Sequence, residues 1–575
     1  MSPTTPTSLQ RRAFLGYFTG LGLGGTLLPG TLWAQLAAGA ELSVQTIACA
    51  EEIAGVALPP AQRELILDDL KEQLQAYEAL HQVSLPNDVP PAVQFSPLLP
   101  GMNPVERAGG ERARGRMERS RAVLRERPGS LDELAFLPVT ELSELLRRRK
   151  VRSTELTRLY LERIRRYDPK LLAVVTLTEE RALRQAQAAD EEIARGRYRG
   201  PLHGIPWGAK DLLAVAGYPT TWGTPLFKAQ VLNEDATVVQ RLDEAGAVLV
   251  AKLTLGELAW GDVWFGGMTR NPWKPDQGSS GSSAGPGSAT AAGLVGFAIG
   301  SETLGSISSP STRNGVTGLR PTFGRVPKTG AMALSWSMDK LGPMCRSVED
   351  CALVLDAIHG PDGRDLSAAA APFRWDARLQ PKQLRVGFFQ QAFERDEKEY
   401  PNKRFDLASL DVLRSLGVSL IPVALPELPY EAMSIILSAE AGAAFEELTR
   451  SGRVDEMVRQ GKNTWPTVFR AARFIPAVEY LNANRLRTLA MQRWAELFRS
   501  VDVIVTPTFA PNQLLATNLT GHPAVILPNG FREDGTPVSL TFLGPLFGED
   551  RLLTVAHHYQ QATPFHQRHP ALAEA

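Results

Sequence analysis

Apolar residues recur every three or four positions in the N-terminal part of the chain, just after two consecutive prolines. The recurring side chains are Leu67, Leu70, Leu74, Tyr77 and Leu80. This spacing places them on one face of an α-helix, which Pro86 is expected to close. We therefore expect residues 41–100 to form a small helical attachment, and nothing in them indicates chemistry.

Strand and helix patterns alternate from Leu131 onwards, unlike in the preceding part of the chain. A capped helix is predicted to begin at Ser153 and to end at Pro169. The further predicted elements are a helix at 179–196 and buried strands at 173–177, 247–251, 294–299 and 501–505. This alternation indicates an α/β domain over residues 131–575, with one sheet covered by helices on both faces.

Composition and charge exclude several classes of function. The 575-residue chain has 62 lysines and arginines against 62 aspartates and glutamates, and 43% of its residues are hydrophobic. The hydrophobic fraction is typical of a folded globular protein, and the balanced charge gives no general attraction to nucleic acid. The three cysteines form no Cys-x-x-Cys pair, and the eight histidines form no HExxH pattern. Neither a disulfide framework nor a zinc site is therefore expected.

An arginine-rich segment lies between the two regions. Residues 106–127 contain eight arginines and four glutamates. A basic binding arm is one interpretation of this segment, but the interspersed acids favour a solvated linker or an exposed helix. Residues 101–130 are therefore interpreted as a linker.

The N-terminal residues resemble a twin-arginine export signal. Arg11 and Arg12 precede Phe14 and Leu15, and no charged residue occurs from position 13 to position 40. Residues 38–40 form an A-x-A-like cleavage site. We expect residues 1–40 to direct export to the periplasm or beyond, with transient membrane contact. The alternatives are a retained membrane anchor, since about 20 residues span a bilayer, and an unprocessed cytoplasmic tail.

Lys210 is the most unusual charged residue of the chain, because it lies inside an almost continuous apolar run. Burial of an ammonium group without partners is unfavourable and lowers its pKa, and a neutral amine can accept a proton. Two other interpretations are that the side chain extends to the surface or pairs with Asp211. Adjacent residues on a strand point to opposite faces, so Asp211 need not be the partner.

Two segments rich in glycine and serine follow Lys210 along the chain. The first, residues 278–288, is predicted to be a loop that enters a helix near Ala289. The second, residues 300–310, follows a predicted buried strand, where a serine and consecutive backbone N–H groups suit a nucleophile and an oxyanion site. Residues 281–285 also satisfy the G-x-S-x-G pattern of α/β hydrolases. That pattern requires a preceding central strand, and the two prolines in residues 271–277 argue against one.

These segments together resemble the amidase signature family of serine hydrolases. The similarity spans residues 131–563 and comprises several blocks in the same order. The blocks are Gly204-Ile-Pro with Lys210-Asp211, the two glycine- and serine-rich segments, Asn271-Pro-Trp, 318–325, 335–343, 502–507 and 521–524. The resemblance implies a large mixed β-sheet with helices on both faces.

The resemblance also implies the roles of individual residues. Ser306 matches the family's nucleophile, Ser282 the bridging serine that follows a cis peptide, and Lys210 the base. The backbone N–H groups that match the oxyanion hole belong to Thr303, Leu304, Gly305 and Ser306. In this arrangement neutral Lys210 takes the proton of Ser282, which takes the proton of Ser306, without metal or organic cofactor.

The sequence departs from the family pattern at three positions. Leu304 occupies the place of the first of two usual glycines, so it would be strained if its φ were positive. Pro286 replaces a frequent serine, and Asn314 occupies a position often held by cysteine. None of these departures removes a catalytic group.

The expected function is therefore that of an exported amidase acting on a small-molecule amide, with no nucleic-acid partner. An esterase, an A-subunit-like component of a glutamyl-tRNA amidotransferase, a catalytically inactive relative and a solute-binding protein are the alternatives. Six tryptophans fall between residues 207 and 336, and they favour either an aromatic-lined substrate pocket or simple core packing. The sequence does not define the acyl group, the amine or the oligomeric state.

Overall fold

The computed structural model describes residues 42–572, except residues 55, 84, 108–116, 122 and 124. The expected export signal, residues 1–40, lies outside the described residues. The chain divides into two compact units. Among the described residues, one unit comprises 42–89 and 473–479, and the other comprises 90–472 and 480–572.

Within residues 42–89, the structure describes the helices α1 (Val44–Ala54) and α2 (Pro60–His81). The predicted helix is thus present. An ion pair of 2.6 Å joins Arg63 on α2 to Glu51 on α1. The apolar stripe of α2 is not buried, and its Leu80 is 64% exposed. No described helix of the chain is both long enough and apolar enough to cross a membrane.

The second unit is built on strands, several of which are rich in apolar residues such as Val, Ile, Leu and Phe. The strands are β1 (Val174–Leu177), β2 (Pro206–Lys210), β3 (Val248–Leu253), β4 (Val263–Trp264), β5 (Gly267–Met268), β6 (Arg270–Asn271), β7 (Lys274–Gly278), β8 (Phe297–Glu302), β9 (Thr317–Arg320), β10 (Lys340–Cys345), β11 (Val386–Phe389), β12 (Leu420–Val423), β13 (Val503–Pro507), β14 (Ala524–Phe531) and β15 (Pro537–Leu543).

Eleven of these strands form one mixed sheet, in the order β1-β3-β2-β8-β10-β9-β14-β15-β13-β11-β12. Strands β3, β2 and β8 are parallel to one another, and β10 runs antiparallel to β8. Every residue of β2, β3, β8 and β10 is buried, so both faces of the sheet are covered there. This confirms the predicted large mixed sheet with helices on both faces.

The helices that follow the first unit along the chain, in order, are α3 (Pro104–Arg107), α4 (Val139–Arg147), α5 (Ser153–Leu171), α6 (Glu179–Ala194), α7 (Thr237–Glu244), α8 (Ala284–Ala291), α9 (Ser308–Asn314), α10 (Val348–Ile358), α11 (Gln390–Glu394), α12 (Lys403–Ser415), α13 (Ile435–Ala444), α14 (Glu446–Arg450), α15 (Trp465–Ala472), α16 (Ala477–Ser500), α17 (Gln513–Thr520) and α18 (Glu549–Gln561). The described part of the proposed linker, near residue 120, is extended. There Ser120 donates its backbone N–H to Glu349 at 2.9 Å.

Two elements beside the glycine- and serine-rich segments differ from the prediction. Helix α8 begins at Ala284, five residues before the predicted start near Ala289, and it includes Pro286 in its first turn, where proline is tolerated. Strand β8 covers Phe297–Glu302 instead of 294–299. The apolar residues just before β8 are buried in the turn that follows Gly293, so their hydrophobicity reflects burial and not strand structure.

Candidate active site

Strand β2 carries Lys210 at its end and places the amine in the protein interior. Lys210 has no exposed surface. Its Nζ lies 2.8 Å from Ser282 Oγ, 3.0 Å from Ser283 Oγ and 2.8 Å from Ser301 Oγ. Lys210 therefore does not extend to the surface, and its amine contacts the first hydroxyl of the expected relay.

Asp211, the alternative partner of Lys210, contacts a different lysine. Its Oδ1 lies 2.7 Å from Nζ of Lys252 on β3, and its Oδ2 accepts a hydrogen bond from the backbone N–H of Thr221 at 2.9 Å. Consecutive residues of an extended chain point to opposite sides, as predicted. Within the described residues, the Lys210 amine consequently has no carboxylate at ion-pair distance.

Burial lowers the pKa of the Lys210 amine well below its ordinary value of 10.5, because the interior penalises the ammonium form. The carboxylates of Asp339 and Glu302 raise this pKa, but burial is the larger effect. A neutral amine that faces a hydroxyl oxygen can accept its proton. The electrostatics of the site thus suit a lysine base.

The loop that carries Ser282 is packed backbone against backbone. The Gly281–Ser282 peptide bond is cis, as the resemblance implied. A Cβ on Gly281 would lie 1.9 Å from the carbonyl oxygen of Gly261, so a larger residue does not fit. This close approach keeps Ser282 buried beside the lysine, with 1% of its surface exposed.

Ser306 lies in the turn between β8 and α9, next to the Ser282 loop. The backbone N–H of Ser283 donates to the carbonyl oxygen of Ser306 at 3.1 Å and so joins the two segments. Ser306 is 8% exposed. In the described part of the chain, Ser306 Oγ has no hydrogen-bond partner, so the structure brings the two serines together without a hydrogen bond between their hydroxyls.

Glu302, the last residue of β8, fixes the turn that follows it. Its Oε2 accepts hydrogen bonds from the backbone N–H groups of Ile307 and Ser308, both at 2.8 Å. Its Oε1 lies 2.7 Å from Nη1 of Arg320, and both side chains are fully buried. Burial raises the pKa of Glu302, but Arg320 and the hydrogen bonds outweigh it and lower the pKa to about 2. The carboxylate is therefore ionised at neutral pH.

Four consecutive residues, here named the oxyanion turn, lie between Glu302 and the start of α9. They are Thr303, Leu304, Gly305 and Ser306. None of their backbone N–H groups has a hydrogen-bond acceptor among the described residues. The left-handed φ of +84° falls on Gly305, while Leu304 keeps a negative φ. The strain considered for Leu304 does not arise, and the turn presents four free donors.

Three contacts of the site were not predicted from the sequence. Ser283 and Ser301 both face the Lys210 amine, and Asp339 accepts a hydrogen bond from the Thr303 hydroxyl at 2.5 Å. Ser283 directly follows the bridging serine, and Asp339 lies in one of the motif blocks. Their partners, however, depend on tertiary structure. Ser301 approaches the amine because β8 pairs with β2, Ser283 approaches it from the loop before α8, and Asp339 approaches Thr303 because β10 pairs with β8.

The six tryptophans divide into two groups of different exposure. Trp207, Trp222 and Trp264 are buried, whereas Trp260, Trp273 and Trp336 are half-buried. Core packing thus accounts for half of the set. As for metal ions, no group of three or more histidine, cysteine, aspartate or glutamate side chains in the described residues is placed to hold one.

Comparison with known proteins identifies the family. The family model named Amidase matches residues 155–553, which include all the site residues above. The chain belongs to the amidase signature family. Its sequence is 35% identical over 488 residues to the A subunit of the glutamyl-tRNA(Gln) amidotransferase of Methylococcus capsulatus, covering 75% of this chain and 98% of that protein. The corresponding protein of Moorella thermoacetica is 34% identical and covers 77% and 100%.

Solved structures of amidase signature enzymes share the fold. Peptide amidase from Stenotrophomonas maltophilia is 31% identical with a TM-score of 0.66, covering 76% of this chain and 98% of the peptide amidase. A bacterial aryl acylamidase of the same family is 22% identical with a TM-score of 0.65, covering 75% and 96%. This second similarity concerns the fold alone.

Proposed function

We propose that the protein is an amidohydrolase that cleaves a carboxylic amide through an acyl intermediate on Ser306. The observation that carries this proposal is the buried Lys210 amine, which lies 2.8 Å from Ser282 Oγ. Membership of the amidase signature family and the free N–H groups of the oxyanion turn support it.

Acylation begins with proton transfer away from the nucleophile. Neutral Lys210 takes the proton of Ser282, and Ser282 takes the proton of Ser306 as Ser306 Oγ bonds to the amide carbon. The carbonyl oxygen becomes an oxyanion, which the N–H groups of the oxyanion turn stabilise. For this step the Ser306 side chain must rotate into hydrogen-bonding contact with Ser282.

The same residues complete the reaction. The proton held by Lys210 returns through Ser282 to the leaving nitrogen, the C–N bond breaks, and the amine departs. Water then loses a proton to the relay and attacks the acyl carbon. Collapse of this second tetrahedral intermediate releases the acid and restores the Ser306 hydroxyl. Every proton taken up by the amine is thus returned within one cycle.

A second candidate function follows from the curated relatives. Both relatives described above carry the name of the A subunit of glutamyl-tRNA(Gln) amidotransferase, at 34–35% identity. Their names suggest glutamine as an amide substrate, with transfer of ammonia as the purpose of the reaction. The residues carried by this chain beyond the matched region, about a quarter of its length, favour an independent hydrolase.

The test measures hydrolysis of primary, aryl and peptide amides, glutamine, and an ester with the same acyl group as one amide. Ser306→Ala is expected to lower kcat by about 10⁴-fold or more, because it removes the nucleophile. Ser409→Ala is the matched control, since Ser409 is also buried but lies on α12, where its hydroxyl bonds to Tyr559 on α18.

Each outcome separates the candidates. Turnover of the ester without any amide would replace the amidase by an esterase. Turnover of glutamine alone, increased by glutamyl-tRNA, would favour the amidotransferase component. Binding of an amide with no turnover by the wild type would identify a solute-binding protein and overturn the proposal.

We also propose that the chain is exported by its twin-arginine signal and acts in the periplasm. Its organisation would then be an export signal at 1–40, a helical attachment at 41–100, a linker at 101–130 and the amidase domain at 131–575. Arg11 and Arg12, with the uncharged stretch after them, support export.

A further inference from the structure

Asp339 is a buried carboxylate outside the serine–lysine relay that contacts the oxyanion turn. Its exposed fraction is 9%. Oδ1 accepts a hydrogen bond from the Thr303 hydroxyl at 2.5 Å. Oδ2 accepts the backbone N–H groups of Leu334 at 2.8 Å and Ser335 at 3.0 Å. One carboxylate therefore joins the first residue of the oxyanion turn to the 334–339 segment.

Strand pairing fixes this contact. In the antiparallel pair of β8 and β10, Glu302 lies opposite Lys340. Thr303 is the next residue after Glu302, and Asp339 is the residue just before Lys340, so the two face each other at the end of the ladder. The position of Thr303 thus depends on the register of the sheet and not on the turn alone.

The 334–339 segment is itself anchored on its other side. Ser335 Oγ donates to Glu440 Oε2 at 2.5 Å, and Ser337 Oγ donates to Glu440 Oε1 at 2.7 Å. Glu440 belongs to α13 and is 6% exposed. A chain of buried hydrogen bonds therefore runs from α13 through the segment to Asp339 and on to Thr303.

The charge of Asp339 also reaches the base. Burial lowers the pKa of the Lys210 amine and is the largest effect. Among the charged groups that raise this pKa, Asp339 has the largest effect. Burial raises the pKa of Asp339 itself, and its three hydrogen bonds and Lys328 lower it. The other charged or titratable groups on the elements around Asp339 are Lys210, Glu302, Arg320, Lys340, Glu440 and Arg487.

We propose that Asp339 is a positioning residue that holds Thr303, the first residue of the oxyanion turn, in place. This inference rests on the proposed function, because the oxyanion turn acts in the same acyl transfer. It adds a role for a side chain outside the Lys210–Ser282–Ser306 relay.

Asp339→Asn removes the negative charge of the side chain but keeps an oxygen that can accept the hydrogen bond from the Thr303 hydroxyl. This variant therefore tests the effect of the charge. The measurement is the rate at which a fluorophosphonate probe labels Ser306 between pH 4 and pH 10. In that reaction the Ser306 oxygen bonds to phosphorus, fluoride leaves, and the proton passes through Ser282 to Lys210. Because the Asp339 carboxylate raises the pKa of the Lys210 amine, removing its charge should move the acid limb of the labelling profile to lower pH.

Thr303→Val tests the hydrogen bond between Thr303 and Asp339 without changing the charge of Asp339. It removes the hydroxyl but keeps the carboxylate, so labelling on the pH plateau should fall about 10- to 100-fold while the acid limb stays in place. Thr303→Ser should restore the rate. With an amide that the wild type hydrolyses in the panel described above, Thr303→Val should lower kcat and leave KM within about twofold of the wild-type value.

Asp406→Asn is the matched control, because Asp406 is a buried aspartate on α12 that contacts Asn529 away from the site. An unshifted acid limb in Asp339→Asn would contradict the effect of this charge on the pKa of Lys210, and an unchanged plateau in Thr303→Val would overturn the positioning role. A wild type that the probe does not label at all would instead overturn the proposed function. If Asp339→Asn does not fold, the Thr303 pair of variants still decides the positioning role.

Discussion

Three buried lysines lie in the sheet around the site, and each has a different set of partners. Lys210 donates to serine hydroxyls, Lys252 pairs with Asp211, and Lys340 donates to the carbonyl oxygen of Met338. Within the described residues only Lys252 among them has a carboxylate at ion-pair distance. Because a buried ammonium group without a counter-charge is unfavourable, the environments of Lys210 and Lys340 favour the neutral amine.

The pH dependence of stability tests this conclusion at Lys340. Burial lowers the pKa of Lys340 well below 10.5, so the unfolded chain holds a proton that the folded chain lacks. Between the lowered pKa and 10.5, wild-type stability should therefore rise with pH relative to Lys340→Met, which has no such proton. Thermal unfolding at pH 7, 8, 9 and 10 measures the difference in Tm. The exposed Lys382→Met is the control, and a difference that stays constant or moves the other way would contradict the prediction.

Individual site residues were predictable from the sequence to different degrees. Lys210, Ser282 and Ser306 were marked by residue type and by their motifs, and the different directions of Lys210 and Asp211 follow from strand geometry. Of the serine partners of the amine, Ser282 was implied by the family resemblance, whereas Ser283 and Ser301 were not predicted. Residue type indicates the chemistry, whereas the partners require the pairing of distant strands.

At the scale of elements, the hydrophobic pattern predicted which residues are buried better than it predicted where strands and helices begin and end. The expected strand at 294–299 and the observed β8 at Phe297–Glu302 overlap, but the buried turn before β8 has the same apolar composition as a strand. Helix α8 was predicted to start later because glycine and proline have low helix propensity. All eight of its residues are buried, so tertiary packing stabilises a helix that local propensity disfavours.

The connection from β8 to α9 depends on Glu302, which binds the turn on one side and Arg320 on the other. Glu302→Gln should leave a buried, uncompensated guanidinium and destabilise the fold by about 3–5 kcal/mol. The variant should also lose labelling of Ser306, since the N–H groups of Ile307 and Ser308 lose their charged acceptor. Urea unfolding and probe labelling measure the two effects.

An exposed ion pair provides the control for Glu302→Gln. Glu234 and Arg364 lie 2.9 Å apart with side chains 41% and 55% exposed, so Glu234→Gln should change stability by about 1 kcal/mol or less. Equal effects of the two substitutions would show that burial does not govern the Glu302 contact.

At the scale of the whole molecule, the sequence predicted the α/β class and the large covered sheet, but not the order of its strands. Strands β2 and β8 are neighbours in the sheet, although residues 211–296, which include the Ser282 loop, separate them along the chain. Strand β10 lies between β8 and β9, although it follows both in the sequence. Such pairings depend on long-range packing that local patterns do not encode. The curated relatives described above match about three quarters of this chain, and the family match begins at residue 155, so the N-terminal region lies outside it.

Export is the prediction that concerns this N-terminal region. Replacing Arg11 and Arg12 by lysine keeps the charge but removes the arginine pair, so the full-length precursor should accumulate in the cytoplasmic fraction while the wild type reaches the periplasm. Immunoblots of cell fractions measure both the location and the size of the protein. The same replacement of Arg147 and Arg148, an adjacent pair within and after α4, is the control and should leave export intact. A wild type that stays cytoplasmic would contradict the proposal, and an uncleaved wild type in the membrane fraction would show that the segment is an anchor.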